Sequence, residues 1–194
     1  MLNKEEIMDM FTKSGALLNG HFLLTSGLHS PNYFQCAKVL QYPSHMTSLC
    51  SDIANKLGPS LMDVIVGPAI GGIVVAQEVG RLLNKRTIFA ERDQGEMTLR
   101  RGFEIAKGER VVIVEDVLTT GKSINEVCAV VEKQGGVLAG VAVIVDRSRG
   151  TVTFPVPLHS LMAMDVVTYD ANNCPLCQEA KVPLIKPGSR AFIK

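Results

Sequence analysis

A chain of 194 residues with 46% hydrophobic side chains can bury a single core and suits one domain spanning residues 1–194. Twenty basic residues against nineteen acidic ones leave a formal charge of +1, which argues against the broad basic footprint of a nucleic-acid binder or of a protein held on an anionic membrane. The opening stretch MLNKEEIMDMF carries three acids and no apolar signal region, and the longest mostly apolar stretch, Val64 to Ala76, is too short and glycine-interrupted to span a bilayer. A reducing cytoplasm is therefore the expected compartment.

In chain order, NKEEIMDMFTKSG predicts a first helix. Asn3 stands at the cap, Glu6 at the capping-box position, and Ile7, Met10 and Phe11 on one face. SHMTSLCSDIANKLG predicts a second, with Ser44 as cap and Gly58 as stop. An alternation follows. DVIVGPA predicts a strand, GGIVVAQEVGRLLN a helix, RTIFAE a strand and RDQGEMTLRRG a polar loop. RVVIVED then predicts a strand, GKSINEVCAVVEKQGG a helix and VLAGVAVIVDRS a strand. The strands are continuous apolar runs, as in strands covered on both faces. Their alternation with helices predicts an α/β fold with an open, twisted parallel sheet and helices on both faces. The expected organisation is an N-terminal hood over about residues 1–45, a core over about 46–150 and a less regular tail over about 151–194.

Between Val111 and Ser123 the chain reads VVIVEDVLTTGKS, a buried strand that ends in two acids and a hydroxyl-rich turn and then opens a helix. In open α/β sheets, ligands gather at the carboxyl ends of strands. The first-turn amides of a helix lack internal partners and attract anions. Thr119, Thr120 and Ser123 add hydroxyls, and Gly121 allows close approach, so the turn is a phosphate cradle. It is not a Walker loop, because Asp116 stands where that pattern needs glycine. Glu115 and Asp116 would repel a phosphate unless they face something else, and sugar hydroxyls are suitable donors to them.

This thirteen-residue string resembles the signature of the type I phosphoribosyltransferases, which bind 5-phosphoribosyl pyrophosphate (PRPP). The resemblance implies that Glu115 and Asp116 hold the ribose 2- and 3-hydroxyls, Asp116 having a catalytic role, that Thr119, Thr120, Gly121, Lys122 and Ser123 hold the 5-phosphate, and that Val117 and Leu118 also border PRPP. Other segments are similar to the orotate-specific branch. HFLLTSGLHSPNYFQC resembles its hood, with Tyr33 and Phe34 as stacking partners for a flat base. VGPAIGGIVVA resembles the pyrophosphate loop, with Gly71 at the binding position. ERDQGEMTLRRG occupies the place of the mobile lid, which implies catalytic and pyrophosphate-binding roles for Arg92, with Arg100 and Arg101 nearby. VIVDRSRG implies that Arg147 grips the orotate carboxylate, with Thr119 also touching the base. The likeness covers roughly Asn3 to Gly150 and departs where Thr25 and Gly71 replace lysines and where the lid carries arginines.

The resemblance further implies transfer of the phosphoribosyl group to orotate, in pyrimidine synthesis, giving orotidine 5-phosphate and pyrophosphate. It implies Mg²⁺ held mainly through PRPP, with no protein metal ligands, and a homodimer with shared sites. A purine phosphoribosyltransferase and a non-catalytic PRPP sensor that binds nucleic acid are the alternatives, the second disfavoured by the near-neutral charge. One motif stands apart. CPLC, Cys174 to Cys177, is a lone C-x-x-C without a second such pair or an H-x-x-x-H. It is compatible with a reduced turn, half of a metal site or a disulfide. His159 is a conceivable third ligand, while His21, His29 and His45 suit the hood or surface.

Overall fold

The computed structural model describes residues 1–24 and 26–187. Helix α1 (Lys4–Lys13) starts as the sequence predicts: the Asn3 side chain accepts from the Glu6 amide, and the Glu6 carboxylate accepts from the Asn3 amide. Its buried face carries Ile7 and Phe11. An antiparallel hairpin follows, β1 (Leu17–Leu23) with β2 (His29–Phe34), its register broken between Asn19 and Phe22. After the short α2 (Ala37–Leu40), helix α3 (Pro43–Leu57) begins one residue before the expected cap. Pro43 takes the first-turn position because its missing N–H would be unpaired there anyway, so Ser44 lies inside the helix rather than capping it. Gly58 ends it as expected.

The alternating segments then build the main sheet. They are β3 (Val64–Pro68), α4 (Gly71–Leu83), β4 (Arg86–Asp93), β5 (Glu96–Leu99), β6 (Arg110–Leu118), α5 (Lys122–Lys133), β7 (Val137–Asp146) and β8 (Leu158–Ala163). The strand order is β5-β4-β3-β6-β7-β8, and every pair is parallel except β4 with β5. Two predicted features change. The polar loop after β4 is instead a hairpin, and the tail supplies a sixth strand, β8, on the far edge.

Alternation along β6 explains the two-sided core. Val112 and Val114 join the cluster under α3 and α4, which includes Leu49, Ile53, Val75 and Val79. Val111 and Ile113 join the cluster under α5, which includes Ile124, Val127 and Val131. The chain leaves β3 toward β4 on one side and returns to β6 on the other, so the topological switch lies between β3 and β6. A crevice forms at such a point. Beyond β8, a 3-10 turn (Ala171–Asn173) and helix α6 (Pro175–Glu179) lead the tail back across the hood hairpin. Bridges pair Tyr169 with His29 and Ile185 with Phe22. Among the described residues no helix is long and apolar enough to cross a membrane.

Candidate active site

The switch point brings two strand ends together. From β6 come Glu115, Asp116 and the turn through Ser123; from β3 comes the turn that starts α4. A pocket is lined by Glu115 and by every residue from Val117 to Ile124. Gly121 caps α5 with φ 72°, in the left-handed region that glycine enters without a steric cost, and a Cβ there would lie 2.7 Å from Val152. Gly121 has no side chain to cap α5, no acid lies in the first turn, and the Thr120 hydroxyl accepts from the Lys122 amide only at a long 3.4 Å, which leaves these amides available to a ligand. Thr119, Thr120 and Lys122 are exposed, Ser123 half-buried. That is an anion cradle made of backbone and hydroxyl donors.

The acid pair sits behind this cradle, against α4. Glu115 is buried, and burial together with the adjacent Asp116 charge pushes its pKa up to about 9. Its carboxylate accepts from the Gly72 amide and, at 3.2 Å, from the Asp116 amide. Burial also raises the pKa of Asp116, whose carboxylate accepts from the Val117 amide at 2.8 Å. Burial disfavours two charges on so closely placed a pair. An ideal Cβ on Gly71 would lie 2.6 Å from Asp116 Oδ2, so the carboxylate occupies the space any larger side chain would need. This crowding accounts for glycine at a position where the resemblance implies lysine. Thr25, the other such position, lies outside the described residues.

Asp116 also lines a second cavity of about 420 Å³ with Gln35, Cys36, Leu40, Ile70, Gly71 and Val74. This joins the hood's exit to the acid pair. Cys36 is buried there, and its thiol pKa is raised by burial first and by the neighbouring acids next.

Arg147 follows β7. Its backbone amide donates to Leu118 O at 2.8 Å, which ties it to the end of β6 beside the cradle. Its Nε is buried with no hydrogen-bond partner among the described residues. Burial pulls the guanidinium pKa below its ordinary value, while nearby Tyr33 acts the other way. A desolvated, unpaired guanidinium nitrogen is costly, and a carboxylate-bearing ligand would remove that cost.

The paired hood aromatics separate. Successive residues of a strand face opposite ways. Tyr33 is half-buried near Arg147, with its ring 5.8 Å from that of Phe22. Phe34 turns inward and packs edge-on against Phe11 at 5.0 Å, 7% exposed. It is a core residue and not a stacking surface for a base, which corrects the expectation for that position.

The arginines on β4 (Arg92) and just after β5 (Arg100 and Arg101) are each engaged with an acid. Arg92 forms a two-pronged ion pair with Glu126 on α5 and donates to Gly95 O at 3.1 Å. Arg101 pairs with Glu91 at 3.0 Å and lies over the Phe89 ring, and Arg100 stands 3.8 Å from Asp93. None of the three lines either pocket described above.

The sequence alone does not reveal one grouping: His21, His29, Cys174 and Cys177 place their donor atoms together where the tail crosses the hood.

Comparison with known proteins identifies the family and the fold. A family model, the phosphoribosyl transferase domain, matches residues 41–153. The orotate phosphoribosyltransferase of Desulforamulus reducens is 51% identical over 189 residues, 97% of this chain and 98% of its own length. That of Chlorobium phaeobacteroides is 54% identical over 186 residues, 96% of each chain. The crystal structure of orotate phosphoribosyltransferase from Aeropyrum pernix superposes with a TM-score of 0.66 at 28% identity, covering 81% of this chain and 93% of the other.

Proposed function

The chain belongs to the phosphoribosyl transferase family, within its orotate phosphoribosyltransferase members, and from that premise we propose that it joins orotate to PRPP, giving orotidine 5-phosphate and pyrophosphate for pyrimidine nucleotide synthesis. Identity of about half the residues over nearly the whole length of named orotate phosphoribosyltransferases supports the substrate pair. The observation that carries the choice of base is the buried, unpartnered Nε of Arg147 between the cradle and Tyr33. Orotate offers a carboxylate to that guanidinium; adenine and hypoxanthine do not.

In this assignment Glu115 and Asp116 accept hydrogen bonds from the ribose hydroxyls, and the turn from Val117 to Ser123 takes the 5-phosphate. Gly71 and the turn that starts α4 face the pyrophosphate. Arg147, Thr119 and Tyr33 hold the base. The bond from ribose C1 to the pyrophosphate oxygen breaks, pyrophosphate leaves with the electron pair, and the orotate ring nitrogen forms the new bond to C1 as its N–H proton passes to solvent or the departing pyrophosphate. No protein nucleophile enters. The residues contribute position and charge complementarity to an oxocarbenium-like centre beside the acid pair. Arg92 neutralises the leaving group once the β4–β5 hairpin moves over it.

The oxygen-only donors around the cradle (Glu115, Asp116, Thr119, Thr120 and Ser123) suit Mg²⁺. The substrate's own oxygens would be the main ligands, with Glu115 lining the cradle and Asp116 beside it as the protein carboxylates at hand. Bound there, the ion would withdraw charge from the leaving pyrophosphate. Exposed Tyr42, Ile70 and Val74 suit the face of a homodimer. We place the protein in the cytoplasm, where cysteines that form no disulfide stay reduced.

The deciding measurement is a spectrophotometric assay with orotate, adenine and hypoxanthine, each with PRPP and Mg²⁺. Orotate alone should be consumed. Arg147→Ala should raise the KM for orotate about 10- to 100-fold, as expected for a lost charged hydrogen bond, and leave that for PRPP within about twofold. Consumption of a purine with orotate untouched overturns the assignment.

A further inference from the structure

Four side chains outside the cradle converge where the C-terminal segment crosses the hood. His21 is on β1, His29 begins β2, and Cys174 and Cys177 flank the first turn of α6. Their donor atoms all lie within 4.8 Å of one another. His21 Nε2 is 3.1 Å from His29 Nδ1, 3.5 Å from Cys174 Sγ and 3.7 Å from Cys177 Sγ. Cys177 Sγ is 3.3 Å from His29 Nδ1.

These lengths match the edges of a coordination tetrahedron. With Zn–N near 2.0–2.1 Å and Zn–S near 2.3 Å, the edges are about 3.3 Å between nitrogens and about 3.5 Å between nitrogen and sulfur. A hydrogen-bonded cluster has no reason to adopt that shape, since two neutral imidazoles and two thiols pair better in twos. The tautomer agrees as well. His21 Nδ1 lies 3.3 Å from the Val182 carbonyl, which can only accept, so the ring proton sits on Nδ1 and the Nε2 lone pair faces the cluster.

The surroundings give the cluster a purpose. Among the described residues from 171 to 187, Cys174 alone is buried. Val182, Leu184 and Ile185 are 42–50% exposed, so this segment has little apolar anchorage. Backbone hydrogen bonds bracket both histidines instead: His29 exchanges two with Tyr169 (2.8 and 2.9 Å), His21 O accepts from Ile185 N at 2.9 Å, and Leu23 N donates to Ile185 O at 2.8 Å. The Ser30 hydroxyl adds a bond to Val167 O at 2.7 Å. The frame aligns the donors before any ion arrives. Two imidazoles and two sulfurs form a borderline-soft set that favours zinc over Mg²⁺ or Ca²⁺. Four protein donors leave no open position, which marks a structural site.

We propose that His21, His29, Cys174 and Cys177 bind one Zn²⁺ in a closed tetrahedral site that fastens the C-terminal segment to the hood hairpin. Both thiols bind as thiolates and give up their protons to solvent. Exposed Cys177 is the side of entry. The site stands independently of which base the enzyme uses.

The test takes the full-length, tag-free chain, purified with a thiol reductant and without chelator. Elemental analysis should find about one zinc per chain, as a four-ligand structural site requires. Stripping with a chelator and reloading with Co²⁺ should give the sulfur-to-cobalt charge-transfer band and the intense visible bands of tetrahedral cobalt. Cys177→Ser and His29→Ala should lose at least nine-tenths of the metal and melt at lower temperature, whereas Cys128→Ser should keep both. Should the variants fail to fold, the stripped and reloaded wild-type chain decides by the same spectrum and by recovery of its Tm with Zn²⁺. Three results would overturn the site: no metal as purified and none taken up from added Zn²⁺, full zinc content in the Cys174→Ser/Cys177→Ser double variant, or a Cys174–Cys177 disulfide found by peptide mapping of the reductant-purified chain.

Discussion

The acid pair at the end of β6 has a double nature that shows in its proton affinity. A carboxyl pushed up to about 9 by burial holds its proton in the folded chain and loses it near 4.5 when unfolded. The folded state therefore binds more protons across that window, and the contribution of Glu115 to stability is full below about 4.5 and is lost as pH rises through about 9. Glu115→Gln mimics the protonated form at every pH. We expect its Tm to match wild type near pH 4.5 and to exceed it progressively up to about pH 9, while PRPP binding weakens. Thermal melts of both proteins from pH 5 to 10 check this, and a gap that does not change with pH would refute the assigned burial cost. The same residues show how legibility depends on spacing. Glu115, Asp116 and the cradle are contiguous, so strand, acids and turn are visible in one stretch. His21, His29, Cys174 and Cys177 come from opposite ends of the chain, and no local pattern announces that they meet. Phe34 shows a different limit: adjacent aromatics on a strand cannot share a face, and the apolar side of α1, where Phe11 waits for a partner, decides which one is buried.

At the scale of elements, the β4–β5 hairpin is the part whose function depends on leaving its place. Its polar sequence predicts a loop, yet Gln94 and Gly95 both have positive φ (50° and 93°), as a two-residue turn between twisted strands requires. The usual sequence cue is Asn-Gly, and Gln-Gly does not carry it. Once formed, the hairpin is held by carboxylates on the very arginines expected to serve the pyrophosphate. The Arg92–Glu126 pair is partly exposed on both sides, so its hold is modest and can be exchanged for a phosphate ligand. Glu126→Gln frees Arg92. The expected result is a KM for PRPP lowered about two- to fivefold, the size of a surface ion pair, against a raised KM in Arg92→Ala. Initial-rate measurements on both variants decide: if Glu126→Gln raises the KM as Arg92→Ala does, the pair is a structural brace and not a competitor. The core elements are legible for the opposite reason, since continuous apolar runs have only one place to go. The strand β8 is not, because its first four residues, Leu158 to Leu161, are all half-buried on a sheet edge and carry little periodic signal.

For the molecule as a whole, the open question is where the cation for the leaving group comes from. Within one chain Arg92 is bound to α5 and does not line the acid pair's cavities, while Tyr42, Ile70 and Val74 leave an apolar face beside the cavity that Asp116 lines. If the homodimer proposed above shares its sites, one chain's hairpin serves the partner's cradle and the reverse holds as well. The consequence is quantitative. Arg92→Ala and Asp116→Asn homodimers should each be nearly inactive. Unfolded together and refolded as an equal mixture, about half of the dimers are mixed, and each of these holds one doubly damaged site and one intact site. About a quarter of wild-type activity should return, because one site in two is restored in one dimer out of two. If Arg92 instead serves the cradle of its own chain, every site in the mixture keeps one lesion and no activity returns.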